Sequence, residues 1–127
     1  MRVYLYILAA LLLMSCVGTN QYDTDYALGV SPRSYAILHV SRPNSALGSA
    51  IAAPVSVNGV LIGQIGPGGD IKTKLPLGKV VITSTTNNVA FEAKRGHEYF
   101  IQVNMMPRMW VNSPDIEVRL TKVVPSN

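Results

Sequence analysis

From Ser34 to Thr121, apolar and polar residues alternate in short runs broken by turn signals. A period of two puts successive side chains on opposite faces of a pleated strand, so each run predicts a strand with one buried face. Ser34–Ser41 places Ala36, Leu38 and Val40 on one face and Tyr35, Ile37 and His39 on the other. Val55–Val57, Asn58-Gly59 and Val60–Ile65 read as a β-hairpin, because a type I′ turn requires positive φ at both central residues and Asn-Gly supplies it. Gly66-Pro67-Gly68-Gly69 forms the next turn, and Ile71, Thr73 and Leu75 then alternate with Asp70, Lys72 and Lys74. After Pro76-Leu77-Gly78, the run Lys79–Thr85 is rich in β-branched residues, as strands prefer. Val89, Phe91 and Ala93, then Tyr99, Ile101 and Val103, then Ile116, Val118 and Leu120 supply the remaining inward faces. Seven or eight such strands, without a helical stripe among them, predict an all-β fold, a small antiparallel β-sandwich or small barrel.

The amino terminus follows a different rule. Met1-Arg2 carries one positive charge, and Val3–Met14 follows without charge, Pro or Gly. Twelve helical residues span about 18 Å, well short of a ~30 Å hydrocarbon core, so the segment fits a secretory h-region better than a membrane span. It ends at Leu13-Met14-Ser15-Cys16. This resembles the bacterial lipobox, in which an aliphatic residue stands three before an invariant Cys and a small residue just before it. The resemblance implies a diacylglyceryl group on the Cys16 sulfur, cleavage between Ser15 and Cys16, and acylation of the new amine. Two or more acyl chains suffice for stable anchoring. Val17 stands where some bacteria place Asp to retain lipoproteins in the inner membrane, which favours the outer membrane.

The expected organisation is a signal peptide over 1–15, a lipidated Cys and tether over 16–33, a β-domain over 34–124 and a tail over 125–127. Val17–Pro32 is polar and aperiodic. As a flexible chain it would reach about 20–24 Å. Tyr22, Tyr26 and Leu28 offer the alternative that this segment packs back on the domain as an edge strand. The full chain has 127 residues, 11 Lys plus Arg, 7 Asp plus Glu and one Cys. Loss of residues 1–15, Arg2 among them, leaves 112 residues with 10 Lys plus Arg against 7 acids. That charge is weak for a nucleic-acid binder, and no nucleic-acid partner is expected. A single thiol excludes an internal disulfide and any multi-thiolate metal site.

Three stretches together carry a second resemblance. Pro54–Gly63 (PVSVNGVLIG) resembles the Asn/Asp-Gly hairpin of PEGA-type domains. Leu75–Ile82 (LPLGKVVI) resembles their Leu-Pro-x-Gly strand entry, with Val80 at the position usually held by His or an aromatic. Lys94–Val103 (KRGHEYFIQV) resembles the strand that follows. In the same order, behind a lipobox and Val40-Ser41-Arg42-Pro43, they are similar to a domain family of small bacterial lipoproteins. The resemblance implies a small β-sandwich and no catalytic residues.

The residues themselves point to no reaction. His39 and His97 have no third ligand at metal spacing, and no Ser sits in a nucleophile elbow. Asp70, Glu92, Glu98, Asp115 and Glu117 fall on separate strands and are expected to face outward. Gly66-Pro67-Gly68-Gly69 lacks the Lys-Ser/Thr and the helix of a phosphate loop. Met105-Met106-Pro107-Arg108-Met109-Trp110 stands apart. Its side chains fill one end of the core, or form an adaptable partner contact through Met105, Met106, Met109 and Trp110, or offer thioethers to Cu(I). The expectation is a non-catalytic binding or scaffolding module of the cell envelope. It would be lipid-anchored through Cys16, carry no cofactor and meet an envelope protein partner on the periplasmic face of the outer membrane. The alternative is a periplasmic small-ligand or Cu(I) binder using residues 105–109.

Overall fold

The structure is a computed structural model and describes residues 18–44, 51–106 and 115–126. The alternating runs all form strands, in the order β1 (Asn20–Gln21), α1 (Asp25–Leu28), β2 (Ala36–Ser41), β3 (Ala53–Val57), β4 (Val60–Ile65), β5 (Asp70–Leu75), β6 (Gly78–Ser84), β7 (Asn87–Ala93), β8 (Glu98–Met106) and β9 (Asp115–Val124). They make two packed sheets, β1-β4-β3-β6-β7 and β5-β2-β8-β9. The fold is an all-β sandwich. Nine strands are present among the described residues where the alternation predicts seven or eight. The ninth is β1, whose Asn20 and Gln21 pair with Gln64 and Gly63 of β4.

One pairing departs from an antiparallel plan. β2 and β8 run parallel, with Leu38 opposite Tyr99 and Val40 opposite Ile101. The chain leaves β2 for the other sheet, returns as β5, leaves again as β6 and β7, and returns as β8. That long crossover is what allows a parallel neighbour.

The inward faces match the alternation. Leu38, Ile62, Ile65, Ile71, Leu75, Ile82 and Ile101 are fully buried. Each stabilises the fold by about 1.5–3 kcal/mol relative to an exposed side chain. Two irregularities keep the faces in phase. A register shift between Val55 and Ser56 lets Ile62 and Ile65 both face inward although they lie three apart. A second, between Phe100 and Ile101, sets Leu120 opposite Ile101 and Lys122 opposite Phe100. The Asn58-Gly59 turn has φ of 50° and 82°, as a type I′ turn requires. Asn58 also docks the hairpin on β6, its Oδ1 accepting from Val81 N–H at 2.9 Å. Pro54 is tolerated in the interior strand β3 because β6 pairs only with Ser56 and Val57.

The sandwich has two ends. One holds the Gly66–Gly69 turn, the ends of β2, β4, β6 and β8, and the starts of β3, β5, β7 and β9. The other holds the Pro76-Leu77 and Arg95-Gly96 turns.

Candidate functional site

Residues 18–30 are bound to the sandwich. Thr19 Oγ1 accepts from Gly66 N–H at 3.0 Å. Tyr22 N–H donates to Ile62 O at 2.9 Å, and Leu28 packs against the core. Gly63 makes this docking possible, since a Cβ there would overlap the backbone of Asn20. The edge-strand alternative for this segment is thus realised at Asn20-Gln21, while Tyr26 is 99% exposed. Between this arm and β5 runs an open groove of about 450 Å³, lined by residues 21–25 and 72–74. Its polar walls include Asp23, Asp25, Lys72 and Lys74. Thr24 lies in the same wall, with its hydroxyl buried and without a hydrogen-bond partner.

The outer face of the β5-β2-β8-β9 sheet forms a second surface. Lys72, His39, Phe100 and Lys122 are register partners across its four strands. The His39 and Phe100 rings stack with centroids 4.3 Å apart and planes within 2°. His39 Nε2 lies 2.9 Å from Glu98 Oε1. Lys122 Nζ sits 5.5 Å from the Phe100 centroid, and Lys74 Nζ 4.6 Å from that of Tyr35. Each such exposed cation–π contact contributes about 0.5–1 kcal/mol. Both the face and Nε2 of His39 are engaged, so the imidazole serves to hold this sheet face together. The resulting surface is a stacked aromatic pair flanked by cations and one carboxylate.

Arg42 has partners that its position in the alternation did not suggest. It is only 3% exposed, and its Nη1 donates to Ile51 O at 2.6 Å and to Ile65 O at 2.9 Å. Its own N–H donates to Gly69 O at 3.1 Å. Burial lowers its pKa by desolvation, while the charge is held by carbonyl oxygens. Arg42 ties the loop after β2 to the end of β4 and to the Gly66–Gly69 turn. The signal available in sequence was phase, since Arg42 continues the inward positions Ala36, Leu38 and Val40.

The sequence-predicted positions are distributed as follows. Cys16, Met109 and Trp110 lie outside the described residues. Met105 packs against the core, and Met106 ends β8. His97 is half-buried just before β8, with Nδ1 3.2 Å from Arg95 O. His39 and Glu98 are brought together from positions far apart in sequence, whereas His97 and Glu98, adjacent in sequence, are not paired. Among the described residues there is no group of three or more His, Cys, Asp or Glu able to hold a metal ion. None of the described helices is long and apolar enough to cross a membrane.

These features define a small β-sandwich with a bound N-terminal arm and a polar, aromatic outer sheet face. No protein-family model matches the chain, and no match is found among curated proteins. Among solved structures the chain is similar to the N-terminal domain of AlgF from P. aeruginosa, at 17% identity and a TM-score of 0.43, over 69% of this chain and 96% of that one.

Proposed function

We propose that this chain is a lipid-anchored cell-envelope lipoprotein whose sandwich acts as a non-catalytic binding or scaffolding module. Its place would be the periplasmic face of the outer membrane, with an envelope protein as partner. The observation that carries the reading is Leu13-Met14-Ser15-Cys16 at the exit of a charge-free segment too short to span a bilayer. The groove beside β5 is consistent with it, because charged groups of the arm and of β5 line it. Anchoring confines module and partner to one layer, which raises effective concentration without new contacts, so a weak interface suffices.

Cell fractionation tests the reading. Wild-type protein should sediment with membranes and resist a high-salt wash, while Cys16→Ser should appear in the soluble fraction. In-cell crosslinking should capture a partner with wild type and much less of it with Cys16→Ser. A Cys16→Ser protein that still sediments after the wash contradicts lipid anchoring. The Cu(I) alternative has its own test. Titration of the 17–127 fragment should show tight binding that disappears when Met105, Met106 and Met109 are replaced by Leu.

A further inference from the structure

We infer that the sandwich stands on the lipid surface by the end that holds the Gly66–Gly69 turn, with its Arg33, Lys94 and Arg95 end projecting into the aqueous phase. This rests on the lipid anchor at Cys16 proposed above. The argument is one of chain length. Thr19 is pinned to Gly66 by its hydroxyl, and Asn20 pairs with Gln64. Only Val17 and Gly18 separate Thr19 from Cys16. Three residues span at most about 11 Å. A free sixteen-residue tether would have allowed about 20–24 Å and any orientation. The six residues of β5 alone run about 20 Å from the Gly66–Gly69 end to the Pro76-Leu77 end. A leash half that length keeps the attached end within about 11 Å of the bilayer and bars the inverted arrangement.

Among the described residues, exposed basic groups cluster at the far end rather than at the leash end. Arg33, Lys94 and Arg95 are exposed at the far end, where Gly96 N–H bonds Tyr35 O. At the leash end, the described residues of the Ser41–Asn44, Gly66–Asp70 and Thr85-Thr86 segments expose no Lys or Arg, Arg42 being buried. Attraction of the far end to anionic lipid acts over a Debye length of about 8 Å at physiological salt. With the Gly66–Gly69 end held within about 11 Å of the bilayer, an upright sandwich carries the far end about 20 Å higher, beyond this range. The orientation is therefore set by the leash and should be insensitive to salt.

The test uses the acylated full-length product in vesicles carrying acyl-chain-brominated lipid, with the mass of each sample checked for acyl chains on Cys16. In a Trp110→Phe background, Pro67→Trp reports the leash end and Leu77→Trp the far end. Bromine should quench Trp at 67 severalfold more than Trp at 77, unchanged between low and high salt. Equal quenching, or stronger quenching at 77, in a sample that carries acyl chains overturns the orientation and leaves the anchor intact. Absence of acyl chains overturns the anchor and the orientation with it. Should either Trp variant fail to fold, amide exchange on wild type decides. Vesicle-bound protein should gain protection at residues 66–70 relative to the soluble 17–127 fragment, and none at residues 94–97. The reverse pattern overturns the inference.

Discussion

The Gln21 carboxamide lies against the backbone of Lys72, with Nε2 donating to Lys72 O at 2.6 Å and Oε1 accepting from Lys72 N–H at 3.4 Å. Gln21 belongs to the edge strand of one sheet and Lys72 to the edge strand of the other. One side chain thus supplies the pair of bonds that a neighbouring strand would make. At the far edge, Asn87 Nδ2 of β7 donates to Ile116 O of β9. An open edge invites pairing with another chain, and at Lys72 the Gln21 carboxamide already occupies that position.

Gln21→Ala should reopen the β5 edge. The expected loss is about 1 kcal/mol, seen as a Tm lower by about 4–8 °C for a domain of this size. Sedimentation should show more self-association than wild type at equal concentration. Unchanged melting and unchanged sedimentation would show that the contact contributes nothing.

Gly63→Ala should lift β1 off β4, because the new Cβ meets the Asn20 backbone and Ile71 Cδ1. Overpacking of this kind costs about 1–3 kcal/mol. Amide exchange locates the effect. The Tyr22 amide, bonded to Ile62 O in the native arm, should lose protection while the amides of β6 keep theirs.

Tyr99 holds the turn before it through its hydroxyl, which donates to Glu92 O and accepts from Lys94 N–H, both at 2.9 Å. A Tyr bonded back to the upstream backbone is a known corner device of β-sandwiches. Tyr99→Phe keeps the ring stacked on Phe91 but strands both backbone groups. Chemical denaturation should register a loss of about 1–3 kcal/mol with an unchanged m-value.

Arg42→Met should be the most damaging of these changes. It leaves the Ile51 and Ile65 carbonyls without their donor. At about 1–3 kcal/mol per stranded group, the expected cost is roughly 2–6 kcal/mol. Arg42→Lys keeps the charge but replaces the guanidinium fork by a single ammonium, and its cost should fall between zero and that of Arg42→Met. If Arg42→Met melts at the wild-type temperature, the buried guanidinium does not hold this end of the sandwich.

The strands were legible because a half-buried strand writes its two faces into alternate positions, as at Ala36, Leu38 and Val40, all buried, against Ile37 and His39, both half-buried. The Asn58-Gly59 turn was legible because its backbone angles leave few residue choices. β1 was not, because two residues cannot show a period and its pairing is read from Gly63, forty-two positions on. The His39–Glu98 pair spans 59 residues and depends on the parallel β2–β8 register, which no local pattern encodes. Arg42 was hidden for another reason. Burial of a guanidinium is decided by carbonyls that converge from Ile51 and Ile65, and hydrophobic alternation says nothing about carbonyls.

Intact-mass spectrometry of the native protein, extracted from its own membranes, tests the anchoring claim most directly. The account predicts a chain that begins at Cys16, heavier than residues 16–127 by a diacylglyceryl group and an amide-linked acyl chain. A mass equal to that of the bare polypeptide, or a chain retaining residues 1–15, would contradict it.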